Sequence, residues 1–266
     1  MKNHVNASGF PLQIAVENIV NDTKDDHGWR TRYTEHSWAN IETGESGFID
    51  IVLINGYGTA IFVVECKRVK DTSWIFLIEE TERKYRRHAK SFVYNKSAGN
   101  LKRFEWLDLT LDPSTPESQY CVIPGSGADQ RNKSLIERTA AELVSSTEGL
   151  AQEDKSLRLS NENDFKMYFN VIVTTATLQV CYFDSKSINI GDGTLNNTTF
   201  EEVPYLRFRK QLNPIYKIPQ ISSMISSHDV ARAKENTVFV INSKYLVQFL
   251  KEFETDKSHT NLMYFS

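Results

Sequence analysis

The sequence predicts an α/β fold, with a central mixed β-sheet flanked by helices on both faces. Three observations carry that prediction. Residues 47–67 hold two apolar runs divided by Asn55-Gly56-Tyr57-Gly58, the signal of a β-hairpin. Further runs at 168–174, 178–183 and 237–241 have strand length and are rich in Val, Ile and aromatic residues. Stretches at 11–21 and 134–151 instead repeat their apolar residues at helical spacing. Strands and helices that interleave along a chain build a sheet covered on both sides.

Taken in order, residues 11–21 read as an amphipathic helix. Leu12, Ala15, Val16 and Ile19 share a stripe, and Pro11 sits in the first turn. Glu17 lies at the stripe's edge, where a solvated side chain and a role at a metal site are equally open. The polar stretch from Asp22 to Gly28 reads as a loop, and Trp29–Ile41 alternates aromatic and polar residues as a strand does. Glu42 and Glu45, just before the hairpin, could approach its charged residues, although loop glutamates are usually solvated.

In the hairpin the two runs are Gly47–Ile54 and Thr59–Cys66. The second is apolar from Ala60 to Val64, as in a strand buried on both faces in mid-sheet. A two- or four-residue loop centred on Gly56-Tyr57 pairs positions that sum to 113, placing Asp50 opposite Val63 and Glu65 opposite Phe48. Side chains alternate faces, so Asp50, Glu65 and Lys67 then share one face. The two carboxylates become diagonal neighbours, with backbones roughly 7–8 Å apart. An odd loop would separate them.

Beyond Lys67 the chain is expected to turn at Asp71-Thr72 and enter a helix to about Phe92, with Trp74, Leu77, Ile78, Thr81 and Tyr85 inward. From Glu82 to Arg103 eight Lys and Arg stand against one acid. Arg83, Lys84, Arg86, Arg87 and Lys90 are therefore candidate phosphate contacts, supplying affinity rather than sequence choice. The bland alternative is a solvated helix face. Residues 93–133 read as a loop-rich insertion through LDPSTPES and PGSGADQRN. Gly125-Ser126-Gly127 fits neither the phosphate-loop pattern nor the nucleophile elbow. Ser134 and Glu137 form a capping box opening a helix to about Ala151, with Ile136, Ala140, Leu143, Thr147 and Leu150 inward. Residues 191–199 read as a loop. Tyr205–Lys210 reads as an edge strand bearing a second basic patch, Arg207, Arg209 and Lys210. Tyr245–Glu254 reads as a closing helix with Leu246, Phe249, Leu250 and Phe253 inward.

Of 266 residues, 40% are apolar and 24% charged, in the range of an ordinary soluble domain. The net charge of −3 excludes a polycation, so nucleic-acid binding would need a local patch. The three cysteines form no CxxC pair and fit a reduced, cytoplasmic protein. The first ten residues lack the apolar core of a signal peptide, and no apolar run reaches membrane-spanning length. The six histidines form no HExxH spacing, so zinc hydrolysis has no support.

Charges in so apolar a hairpin are costly unless paired or bound to metal. Two carboxylates held in one half-buried place repel each other, a cost that a divalent cation removes. Oxygen ligands of this kind suit Mg²⁺ or Mn²⁺. A lysine pointing the same way can steady a hydroxide beside the ion. Together they suit phosphodiester hydrolysis.

Asp50, followed fifteen positions on by Glu65-Cys66-Lys67 at the end of an apolar strand, resembles the active-site motif of the PD-(D/E)XK nuclease superfamily. The resemblance covers about residues 10–90 and the strands near 168–184. It implies a restriction-endonuclease-like core over about 10–92 and 134–184, within one elaborated domain spanning 1–266. An insertion over 93–133 and a C-terminal extension over about 200–266 would complete that domain. By the match, Asp50 and Glu65 would be metal ligands, joined by the backbone carbonyl of Cys66. Lys67 would hold the attacking water, and Glu17 is the candidate for the family's helix glutamate. Ile49 stands where the motif's proline would be. The implied activity is that of an Mg²⁺-dependent endonuclease acting on nucleic acid, DNA before RNA. A cut through both strands is compatible with a homodimer. The alternative is a non-catalytic domain that binds nucleic acid or protein on the same sheet, with Glu65 and Lys67 an ordinary strand-end pair.

Overall fold

The computed structural model describes residues 1–41, 43–70, 72–124, 134–157, 162–212 and 227–256. Helices α1 (Lys2–Ala7), α2 (Phe10–Asp22) and α3 (Lys24–His27) lead into strands β1 (Trp29–Ala39), β2 (Ser46–Asn55) and β3 (Ala60–Lys67). The short α3 occupies part of the stretch expected to be loop. It ends at Gly28, whose φ of 74° is the left-handed conformation that glycine adopts without strain.

The next region departs furthest from the sequence reading. In place of a helix over 71–92 and a loop-rich insertion stand β4 (Ser73–Glu79), β5 (Arg86–Ser97), β6 (Asn100–Thr115), β7 (Glu117–Ser118) and β8 (Tyr120–Val122). Trp74 to Ile78 is an unbroken apolar run, which fits either period. The burial shows period two, with Trp74, Phe76 and Ile78 inside and their neighbours half-exposed. In β5 every residue from Ala89 to Asn95 is buried, as happens only when both faces of a strand are covered. The chain continues through α4 (Leu135–Leu157), β9 (Asp164–Thr174), β10 (Thr177–Phe183), β11 (Thr198–Glu202) and β12 (Tyr205–Lys210). It closes with α5 (Ser227–Ala233), β13 (Asn236–Asn242), α6 (Leu246–Glu252) and β14 (Glu254–Thr255).

The fold is α/β with a mixed sheet. Its spine runs β1-β2-β3-β9-β13-β12-β7, with β3, β9 and β13 parallel. β9 forks on one side: Asp164–Tyr168 pairs antiparallel with β5, and Asn170–Thr174 pairs parallel with β13. A smaller sheet, β11-β10-β4-β8, packs against it. β12 is an inner strand between β13 and β7, not the expected edge.

Two cores sandwich the spine. On one side Val52, Ile61 and Val63 meet Ile136, Ala140, Leu143 and Leu150 of α4, with Trp74 and Phe76 of the small sheet. On the other Leu53, Phe62 and Val64 meet Leu12, Val16 and Val20 of α2 and Phe249 and Leu250 of α6. Each such side chain contributes about 1.5–3 kcal/mol by leaving water. Helix α4 comes closest to the sheet at Gly149, where an added Cβ would lie 2.9 Å from the Ala39 carbonyl oxygen. Among the described residues no helix is long and apolar enough to cross a membrane.

Candidate active site

The hairpin turn sets the site. The Asn55 side chain accepts the N–H groups of Thr59 and Ala60 at 2.9 and 3.0 Å, and Gly58 takes a left-handed φ of 69°. This centres the turn on Tyr57-Gly58, one residue later than expected. The pairing is therefore Ile54↔Ile61 through Ile51↔Val64, positions that sum to 115 rather than 113. Within β3 the alternation puts Glu65 and Lys67 on the face of Ile61 and Val63, toward α4.

The ladder between β2 and β3 ends at Ile51↔Val64. There Asp50 fills the gap: its Oδ2 accepts the Cys66 N–H at 2.7 Å. The N–H and C=O of a strand residue point to the same side, so the Cys66 carbonyl opens onto the same gap. Lys67 Nζ donates to Glu65 Oε1 at 2.5 Å, and both side chains are half-buried. Asp50, Glu65, Lys67 and the Cys66 carbonyl thus meet where the two strands part.

The electrostatics are strained. Burial pushes the Asp50 carboxyl above its ordinary range, against the Cys66 N–H and the Lys67 ammonium, and the charge of Glu35 adds to the push. Burial also raises Glu65, followed by repulsion from Asp50; Lys67 opposes this, and Glu142 on α4 adds to it. The Cys66 thiol is raised well above its usual value by burial and by the same two carboxylates, which disfavours its thiolate.

Glu35 and Glu142 were not legible as site neighbours. Glu35 stands on β1 with a φ of 48°, a left-handed kink between the pairs Thr34↔Ile51 and His36↔Ile49, abreast of Asp50. Glu142 arrives only because α4 docks on this face. Neither lies in a motif, and no local pattern points to them. Among the described residues no three acids, histidines or cysteines converge on one point; the oxygens that could hold a cation here are those of two carboxylates and one carbonyl.

No protein-family model, curated protein or solved structure matches the chain.

The remaining sequence candidates fare differently. From α2 it is Gln13, not Glu17, that reaches the hairpin, donating to the Asp50 carbonyl at 3.0 Å. Asn21, two turns on, accepts the Thr31 N–H near the turn end of the sheet. The helix thus runs away from Asp50 and carries half-exposed Glu17 with it. Glu45 is engaged by Ser145 at 2.5 Å, while Glu42 and the Gly125–Gly127 segment lie outside the described residues.

The basic candidates lie on a turn and β5, and most are neutralised. Arg83 pairs with Glu80 and Glu201 and stacks on Tyr182; Arg86 pairs with Glu82, and Arg87 with Asp112 at 2.7 Å. Lys90 is buried against Asp108 at 3.3 Å. Lys84 alone of the five is exposed without an ion pair among the described residues. The expected second patch is mostly internal. Arg207 and Arg209 are buried, Arg209 between Asp108 and Glu235, and Lys210 pairs with Glu137. Burial pushes the Arg207 guanidinium down to about 10.

Proposed function

We propose that the chain is a metal-dependent nuclease that hydrolyses phosphodiester bonds in nucleic acid, DNA in the first place. The observation that supports this is the meeting of Asp50, Glu65, Lys67 and the Cys66 carbonyl at the parting of β2 and β3. That donor set fits Mg²⁺ or Mn²⁺. Asp50 Oδ1 and Glu65 Oε2 make no hydrogen bond among the described residues, and both carboxyls are raised by burial, a cost that a bound cation would lift. When bound, such an ion supplies charge neutralisation and a more acidic water. The chain's own groups do the rest. The Cys66 N–H fixes the Asp50 carboxylate in one orientation. Lys67, once Glu65 shares its charge with a cation, has an ammonium free to hold the attacking water. A cytoplasmic setting belongs to the same proposal.

The short Glu65–Lys67 pair is what favours the second reading, a binding domain whose strand end is closed by an internal ion pair. Cleavage of labelled DNA and RNA in Mg²⁺ or Mn²⁺ decides between them. The nuclease reading expects Asp50→Ala, Glu65→Ala and Lys67→Ala each to lose about 10²-fold or more in rate with the fold intact. Cleavage that survives all three changes overturns it, and binding without cleavage by the wild-type chain establishes the alternative.

A further inference from the structure

Strands β3, β9 and β13 run parallel and end level, Lys67 abreast of Thr174 and Thr174 abreast of Asn242. Ligands of open α/β sheets sit outside such carboxyl ends. Here the chain leaving β3 and the turn from β9 to β10 enclose a cleft of about 410 Å³, lined by Arg68, Lys70, Thr72, Ser73, Thr175 and Thr177. Its frame is fixed. Thr175 Oγ1 accepts the Val69 N–H at 2.9 Å and donates to the Val69 carbonyl at 2.8 Å; Thr72 Oγ1 donates to the Lys70 carbonyl at 2.9 Å.

The charge on this rim differs from that of the paired cations on and before β5. Arg68 and Lys70 are exposed and have no ion pair among the described residues; no described lining residue is acidic, and Asp71, between Lys70 and Thr72 in the sequence, lies outside the described residues. Lys244, exposed and equally unpaired among the described residues, follows β13 at the same edge. By contrast Arg83, Arg86, Arg87 and Lys90 already have carboxylate partners. The cleft also adjoins the candidate site: Thr174 Oγ1 donates to the Lys67 carbonyl at 2.8 Å, and the Thr175 N–H reaches the same oxygen at 3.4 Å.

We infer that this cleft is a phosphate-binding groove, in which Arg68 and Lys70 hold the sugar–phosphate backbone next to the bond presented to Asp50, Glu65 and Lys67. The inference rests on the proposed nuclease reading for its choice of ligand, and it replaces the β5 region as the nucleic-acid surface. Contacts of this kind give affinity without sequence preference and are sensitive to salt.

The test uses the full chain carrying Asp50→Asn, so that substrate survives, and short fluorescent DNA and RNA duplexes read by anisotropy. Adding Arg68→Ala and Lys70→Ala together should weaken binding at least tenfold. It should also flatten the plot of log affinity against log salt by about 1.8 between roughly 50 and 200 mM, the slope lost with two phosphate contacts. The pair Arg83→Ala and Arg87→Ala should stay within twofold of the parent. Equal affinity and slope in the Arg68/Lys70 variant, or an equal loss in the Arg83/Arg87 variant, overturns the groove. So does displacement of the duplex by millimolar inorganic phosphate, which would assign the cleft to a free anion. In the background with Asp50 restored, the rate of metal-dependent cleavage reports on the nuclease reading separately. Wild-type cleavage with an unmoved Arg68/Lys70 affinity fails the groove alone. A groove-dependent affinity without any cleavage fails the catalytic reading alone.

Discussion

Asp50 is held by a single backbone N–H in a place that resists its charge, and the consequences can be measured on that residue. An asparagine there keeps an oxygen to accept from Cys66 but carries no charge. Asp50→Asn should therefore abolish the proposed cleavage and leave the melting temperature at pH 7–8 equal or higher; a marked drop would mean that the carboxylate is structural. The pH dependence has a definite sign. Because the folded carboxyls of Asp50 and Glu65 titrate above their unfolded values of 3.8 and 4.5, their favourable contribution is fully present below about pH 4. It is lost as pH rises through the folded values. Calorimetry of wild type against Asp50→Asn should show the gap between them widening upward from pH 4. Mg²⁺ should then raise the wild-type melting temperature and leave the variant unmoved.

A second charged residue tests the fold instead of the site. Asp154 is almost fully buried, takes a bidentate pair from Arg32, with one arm at 2.8 Å, and accepts the Tyr168 hydroxyl at 2.8 Å. Arg32 is held above its usual value by that partner despite burial. Asp154→Ala strands a buried guanidinium and should cost about 3–5 kcal/mol in urea unfolding. A loss below about 1 kcal/mol, the range of an exposed pair, would show that water reaches Arg32.

At the scale of elements, α4 and β1 touch through a missing side chain. Gly149→Ala pushes a methyl against the Ala39 carbonyl and the Trp38 ring, with backbone on one side and a buried indole on the other. Urea unfolding should report a loss of about 1–3 kcal/mol; an unchanged midpoint would mean that the helix can slide outward without cost.

What sequence could disclose also divides by element. The hairpin was legible because an Asn-Gly turn and two β-branched runs agree, although its turn is centred one residue later than expected. The helices α2, α4 and α6 were legible from periodicity alone. The β4–β6 region was not. Trp74–Ile78 satisfies both periods, and its strand character comes from pairing with β10, a hundred residues later in the chain. The basic stretch misled for the same reason. Glu80 and Glu82 are local partners, but Asp108, Asp112 and Glu201 sit beyond any local window, and so do the acids that pair with Arg209. At the candidate site, the hairpin placement of Asp50, Glu65 and Lys67 was readable, whereas the approach of Gln13, Glu35 and Glu142 depends on docking that no local pattern encodes.

For the whole molecule the deciding feature is β9. It takes neighbours from β3, β5 and β13, and at the fork Asn170 is fully buried, accepting from Thr147 at 2.7 Å and donating to the Thr237 carbonyl at 3.1 Å. Asn170→Leu keeps the volume and strands both partners. It should cost about 2–6 kcal/mol, the penalty for two unpaired buried groups, and leave secondary structure by circular dichroism near that of wild type. A neutral result would mean that the fork repacks.

The fork also sets a timetable for synthesis. The side of β9 that β13 covers is translated as far as Thr174, yet β13 begins only at Asn236, about 60 residues later. At the usual ribosomal pace of roughly 5–20 residues per second, that apolar edge stays open for roughly 3–12 seconds on a nascent chain. During that interval Asn170, Ile172 and Thr174, whose parity turns their backbone groups away from β3, have no strand beside them, an open edge on which another strand could pair.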